Sequence, residues 1–336
     1  MPFDRPSPVK SQQLRPGVSV VVPAYNSEAS LGELVHRLAT VLAGLTMDYE
    51  IILVNDGSRD RTWSVIADLA SRERRVRGID MMRNYGQHNA LLCGVRVARY
   101  EVTVTMDDDL QHPPEEIPKL LARLAEGFAV VYGTPEREQH GLFRDLSSQI
   151  TKLVLQNAMG AQAARHVSAF RAFRTQLREG FARAGGPFVA FDVLLTWATN
   201  RFGWTAVQHA PRRYGRSNYT VRKLVIHAAN LMTGFSTLPL QLASLVGFAC
   251  TAFGVAVLAY VMGRYLVWGG QVPGFSFIAS TIAIFSGAQL FALGIFGEYL
   301  ARIHARSMDR PAYAVLAQTD TAQAGQEPES PNEVAA

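Results

Sequence analysis

The sequence predicts an α/β protein: a mostly parallel sheet with helices on both faces, followed by a C-terminal two-helix transmembrane hairpin. Three observations carry this expectation. Short apolar, β-branched runs alternate with amphipathic helical patterns from Val18 to Thr134, the rhythm of a parallel sheet with crossover helices. Each early run breaks off at a polar turn. Two stretches, Leu224–Gly263 and Tyr265–Gly297, contain no Asp, Glu, Lys or Arg, whereas a bilayer-spanning helix needs only ~20 apolar residues.

The elements follow in order. "MPFDRPSPVKSQQLRPG" has no apolar core and reads as a loose arm over 1–17 rather than a signal peptide. "VSVVVPAYN" (Val18–Asn26) is an apolar strand stopped by Pro23. Ser30 opens a helix through Leu42, with Leu31, Leu34, Val35, Leu38 and Leu42 on one face. "YEIILVNDGSRD" is a second buried strand ending at Asp56–Gly57, and Thr62–Ala70 a helix. "VRGIDMM" and "VTVTM" are strands three and four, followed by helices over His88–Ala98 and Glu115–Glu126. "AVVYGT" (Ala129–Thr134) is the fifth strand, and "HVSAFRAFR" and "WTAVQHAP" complete the sheet. Gly141–Met159 and Val221–Phe235 read as amphipathic helices, the second suited to a membrane interface.

Spans are placed at about 242–262 and 275–296. Buried core helices are the alternative, but uncharged runs this long are rare in soluble folds. Arg212, Arg213, Arg216, Arg222 and Lys223 precede the first span, and Arg302, Arg306 and Arg310 follow the second. Basic flanks face the cytoplasm, which puts both termini there and the Gly269–Gly270 turn outside. The expected organisation is an arm (1–17), a globular domain (18–219), an interfacial helix (220–237), two transmembrane helices (238–300) and a cytoplasmic tail (301–336). Gln, Glu, Pro and Ala dominate after Gln318, predicting a disordered end.

Composition excludes several classes. The two cysteines, Cys93 and Cys250, give no disulfide framework. The net charge of +5 comes largely from arginines near the spans, which suits an anionic membrane face or phosphate ligands. No nucleic-acid motif, Gly-x-x-x-x-Gly-Lys loop, zinc spacing or nucleophile elbow is present.

In open α/β sheets ligands bind beyond the carboxyl ends of the strands. Tyr25–Asn26, Asn55–Asp56–Gly57, Arg83–Asn84 and Asp107–Asp108–Asp109 are all expected at that edge. In "DDDLQHPPE", Asp107, Asp109 and Gln111 alternate to one side of an extended turn. Their oxygens are hard ligands suited to Mg2+ or Mn2+, and Asp108 would point the other way, toward a sugar hydroxyl. A solvated acidic turn or a helix N-cap cluster ahead of Pro113–Pro114 is the plainer alternative. Asp56 could accept from a base or ribose, or simply shape an Asp-Gly turn. Arg83, beside a helix N-terminus, could hold phosphate or serve as a surface residue. Arg144 and Ser148 share a helix face and could clamp a phosphate or merely be solvated.

"PAYN", "NDGS", "RNYGQHNA", "DDDLQHPPEE", "YGT…LFR…S", "RRYGRSNY", "TLPLQLASLVG" and "GEYLARI" occur in that order. Over roughly Val18–Tyr313 the chain resembles the family-2, GT-A-fold polyprenyl-phosphate glycosyltransferases. These include dolichyl-phosphate mannose synthases, bactoprenol glucosyltransferases and, most similar, undecaprenyl-phosphate 4-deoxy-4-formamido-L-arabinose transferases. The resemblance implies transfer of a sugar, with inversion, from a nucleotide-sugar (UDP favoured over GDP) to a polyprenyl phosphate at the cytoplasmic face of the membrane. It implies nucleoside contacts at Pro23, Tyr25 and Asp56, and metal–diphosphate contacts at Asp107, Asp109 and Gln111. Acceptor-phosphate contacts fall on Arg137, Arg144 and Ser148, and Arg212 belongs to a loop closing on the donor phosphates. A homo-oligomer such as a tetramer is compatible with it. Three positions depart from the pattern: Ser27 replaces a Glu, Asn218 a Lys, and Arg165 an Asp.

A phosphate monoester is already anionic at neutral pH, its second pKa being ~6, so such a reaction needs no general base. Two rivals stand beside it. A glycan-acceptor transferase would need a base, for which Asp192 is the obvious candidate. A membrane-tethered nucleotide-sugar-binding scaffold without catalysis would account for the three departures.

Overall fold

The computed structural model describes residues 14–45, 48–135, 165–182, 184–185, 189–211, 238–268, 275–308 and 310–319. Among the described residues eight strands form one mixed sheet. Its centre is parallel: β1 (Arg15–Ala24) lies between β2 (Tyr49–Asn55) and β4 (Tyr100–Thr105), and β2 also pairs with β3 (Val76–Met81). The Val- and Ile-rich runs fit this position, because a strand covered on both faces must be apolar on both. β2 is buried along its whole length.

β5 (Val130–Pro135) and β7 (Phe202–Val207) run parallel on one flank. β6 (Arg171–Arg174) inserts between β4 and β5, antiparallel to both. On one face lie α1 (Leu31–Ala43), α2 (Thr62–Arg72) and α4 (Ile117–Ala125). The predicted stripe of Leu31, Leu34, Leu38 and Leu42 packs there with Val20, Val22, Ile51 and Leu53. On the other face α3 (Gln87–Arg96), a 3-10 segment (Thr175–Phe181) and α5 (Phe191–Ala198) cover Val21, Ile52 and Val54.

Three details differ from the sequence expectation. β1 begins at Arg15, inside the expected arm, and continues through Pro23, which pairs with Val54. Proline can sit in a strand where its missing N–H is not needed, and the ladder resumes when Asp56 N donates to Ala24 O at 2.9 Å. The tail also contributes a strand: β8 (Val315–Gln318) runs antiparallel to β3 at the sheet edge. Thr319 extends the pairing, accepting from Gly78 N at Oγ1 (2.8 Å) and donating its own N–H to Gly78 O (3.0 Å). Ala312 and Tyr313 pack on the α3 face just before it.

The helices α6 (Leu238–Trp268) and α7 (Phe275–Ser307) contain segments Leu240–Arg264 and Ile284–Ala305, each long and apolar enough to cross a membrane. Almost none of either segment is buried within the protein, unlike a core helix. β3 precedes the hairpin and β8 follows it, so both outer ends of the helix pair return to one sheet. The expected amphipathic helices at 141–159 and 221–235, and the Gly269–Gly270 turn, lie outside the described residues.

Candidate active site

The turns leaving β1, β2, β3 and β4 are bonded to one another. Asn26 sits in the left-handed region (φ 54°), a conformation Asn tolerates better than most residues. Its N–H donates to Ser58 Oγ at 2.9 Å, and its Oδ1 accepts from Arg59 N at 2.9 Å. Gly57 (φ 63°) lies against the β3 turn so closely that an added Cβ would meet Arg83 C and Asn84 N at 2.4 Å. Asp56 is buried, and its carboxylate accepts from Tyr85 N at 2.6 Å and Gly86 N at 2.9 Å. Burial pushes its carboxyl upward, and those two N–H groups oppose the shift. Arg83 is exposed and stacks over Tyr85, 4.6 Å from the ring centroid. Tyr25, Asp56 and Arg83 therefore share one rim, with Pro23 two residues before Tyr25, within β1.

The acidic triplet follows β4. Its turn is strained at Leu110, a buried non-glycine residue at φ 60°, a cost that concentrates at functional sites. Asp108 reaches back to β1, where Ser27 Oγ and Tyr25 N (3.4 Å) donate to it. Ser27, one of the three departures, thus ties the β1 turn to the triplet. Asp107 accepts from Gln87 Nε2 at the start of α3, and Asp109 from Gln111 N at 3.1 Å. Burial, then repulsion by Asp109 and Asp108, pushes the Asp107 carboxyl up to about 7. The nearby Arg171 charge and the Gln87 bond oppose that shift.

Hard oxygen donors under mutual repulsion fit a divalent cation. Among the described residues no group of three or more His, Cys, Asp or Glu side chains is gathered to hold one alone. Carboxylate and carboxamide oxygens of this kind are the donors that Mg2+ and Mn2+ take, together with water and substrate phosphates. Gln111 stands beside β7: its carbonyl accepts from Ala210 N at 2.8 Å, and its Nε2 is 3.4 Å from His209 Nε2. His112 is buried between Phe170 and His209, with ring centroids 5.3 and 5.0 Å away. Burial, reinforced by His209, lowers it to about 4, against the pull of Asp109, so this ring is neutral at pH 7.

Sequence reading missed the ionic group beneath the triplet. Arg171, on β6, is 2% exposed. Its guanidinium pairs with Asp192 in the first turn of α5, and its Nε donates to Thr105 Oγ1 at 3.0 Å. Tyr132 OH donates to Asp192 Oδ1 at 3.0 Å. Asp192, the candidate base from sequence, is thus a counter-ion with both its partners buried. The "SAFRAFR" pattern gave one signal, an arginine in an otherwise apolar strand. Arg137, Arg144, Ser148, Arg212 and Asn218 lie outside the described residues; Arg165 is exposed beside His166.

The family model described as glycosyl transferase family 2 matches residues 19–186, the segment that carries all four turns. An undecaprenyl-phosphate 4-deoxy-4-formamido-L-arabinose transferase of Yersinia enterocolitica is 35% identical over 304 residues, 89% of this chain and 92% of that protein. Its counterpart in Pseudomonas fluorescens is 32% identical over 301 residues, 89% of this chain and 88% of that protein. Among solved structures, glucosyl-3-phosphoglycerate synthase of Mycobacterium tuberculosis, in complex with Mn2+, UDP and phosphoglyceric acid, is 19% identical. It covers 65% of this chain and 76% of its own, with a TM-score of 0.46. The mixed sheet with helices on both faces is GT-A-like. The family match over half the chain, and relatives at this identity along nearly all of it, establish the protein as a glycosyltransferase of family 2.

Proposed function

We propose that the protein transfers a sugar from a nucleotide-sugar, UDP-linked, to an undecaprenyl-type phosphate at the cytoplasmic face of the membrane, with inversion and with Mg2+ or Mn2+. The observation that carries this reading is the acidic triplet after β4, which the β1 turn bonds through Asp108 and the start of α3 bonds through Asp107. The names of the 32–35% identical relatives supply the acceptor class.

In this reading Pro23, Tyr25 and Asp56 line the nucleoside pocket. Asp56 acts from its place against the Tyr85 and Gly86 amides, where it shapes the pocket wall. Asp107, Asp109 and Gln111 would hold the divalent ion, which neutralises charge on the departing diphosphate. Arg83 and Arg212 add positive charge to that diphosphate, and Arg137, Arg144 and Ser148 hold the acceptor phosphate. A phosphate oxygen attacks the anomeric carbon as the carbon–oxygen bond to the diphosphate breaks, and the nucleoside diphosphate leaves with that electron pair. No proton need be removed from the nucleophile.

In this reading Asp192 is a counter-ion and not a base: Arg171 and Tyr132 both meet it through Oδ1, and a phosphate acceptor asks no base of it. The hairpin of α6 and α7 lets the lipid stay in the bilayer while its phosphate meets the cytoplasmic domain of residues 18–219. Extraction of the lipid would cost ~0.8 kcal/mol per CH2.

Membranes containing the protein, incubated with labelled UDP-sugars and undecaprenyl phosphate, test the reading. Labelled lipid is expected with Mn2+ or Mg2+ present, lost with EDTA and lost in D107N. A donor panel that yields labelled glycan but no labelled lipid would refute it. Removal of everything after Phe235 is expected to abolish transfer to long-chain acceptors while weakening nucleotide binding less.

A further inference from the structure

The exit of β7 is fastened to the turn that follows the acidic triplet. Gln208 N donates to Glu116 Oε2 at 3.1 Å, and Glu116 is itself buried and paired with Lys119 at 2.7 Å. Ala210 N donates to Gln111 O at 2.8 Å. Between them the His209 ring meets His112 edge-on at 5.0 Å and places its Nε2 3.4 Å from the Gln111 carboxamide nitrogen. A carboxamide donates only through nitrogen and accepts only through oxygen. With the nitrogen turned to His209, the oxygen is directed away from β7. The Gln111 backbone is fixed on its other side by the bond from its N–H to Asp109 Oδ1 at 3.1 Å.

We infer that His209 is a positioning residue: it accepts from the Gln111 carboxamide and thereby presents the Gln111 oxygen to the divalent ion at Asp107 and Asp109. This rests on the metal–diphosphate reading above. Groups that orient a metal ligand typically govern affinity by 10–100-fold. His209 fits such a role by geometry, since the bonds on either side of it, at Gln208 and Ala210, hold its backbone against the metal turn. Ala210 also lies two residues before Arg212, so the metal turn and the start of that loop share one anchor.

The test uses the purified full-length protein and Mn2+ with UDP, reading free Mn2+ by electron paramagnetic resonance. H209F and H209L both remove the acceptor, and two variants keep a folding defect in one from deciding the result. Each is expected to weaken Mn2+ binding in the presence of UDP about tenfold, with UDP binding in EDTA unchanged. H209N, whose oxygen can still accept, should recover part of the loss. Q111A should match H209F, and the double variant H209F/Q111A should be no weaker than Q111A, because coupled residues do not add. Unchanged Mn2+ affinity in both H209F and H209L, or additive losses in the double variant, would overturn the positioning role alone. Failure of the unaltered protein to bind Mn2+ with UDP would overturn the metal reading, and this inference with it.

Discussion

Substituting Asp192 by Asn separates the two roles open to that residue. The side chain keeps its shape and loses its charge. Arg171, 2% exposed, would then keep its bond to Thr105 Oγ1 and its position 5.3 Å from the Phe191 ring centroid, without its carboxylate partner. Removing one member of a buried ion pair costs about 3–5 kcal/mol. Asn can still accept from Arg171 and Tyr132, so the low end, about 3 kcal/mol, is expected. For a domain of this size each kcal/mol moves Tm by roughly 2–4 °C, giving a fall of about 6–12 °C. Tryptophan fluorescence of the purified full chain on heating measures it. The double variant R171M/D192L, which removes both charges, should melt above D192N. Transfer assayed well below both midpoints should stay within about threefold of the unaltered protein, because no base is lost. Removal of a general base instead costs about 10²–10⁴-fold. A rate loss of that size with an unchanged Tm would refute the counter-ion argument and revive the glycan-acceptor alternative.

Other outcomes follow from the same geometry. In metal-free protein the Asp107 carboxyl is raised from 3.8 to about 7, so between those values the folded state keeps a proton that the unfolded chain has released. Stability should therefore fall as pH rises through that window and level off above it; the apparent Tm of EDTA-treated protein should lose this slope in D107N, and an identical slope would count against the raised Asp107 carboxyl. Burial pushes the Cys93 thiol up to about 12, so iodoacetamide at neutral pH should modify it only after unfolding, as mass spectrometry of the intact and denatured protein would show. Replacing Gly57 with Ala sets a Cβ 2.4 Å from the Arg83 backbone, which should separate the β2 and β3 turns and weaken UDP binding at least tenfold; unchanged binding by calorimetry would remove those turns from the nucleoside pocket.

Local patterns made most of the sheet legible. Val20, Ile52 and Val104 announce strands because residues covered on both faces have little choice but to be apolar. The acidic triplet is conspicuous because charge at the end of such a run is costly. Pairing across long separations left no comparable mark. "VLAQ" is too short to stand out, and its partner β3 lies more than two hundred residues upstream. The insertion of β6 between β4 and β5 is a matter of register, which composition does not encode. Asp192 looked like an available acid because Arg171, 21 positions away, carries no signal of where its guanidinium goes. Ser27 looked like a missing nucleoside contact until its hydroxyl was found on Asp108.

The pairing of β3 with β8 makes assembly order part of the design. Gly78 and Thr319 are 241 positions apart, so at about 5–20 residues per second β3 waits roughly 12–48 s for its outer neighbour to be synthesised. Both apolar helices emerge during that delay. A hairpin that crossed only once would strand Val315 on the far side, leaving the outer amides and carbonyls of β3 bare, an edge prone to aggregation. With α6 and α7 crossing the membrane as proposed, closure of the sheet would serve as a built-in check on the number of crossings, completed only by a chain that has turned back through the bilayer.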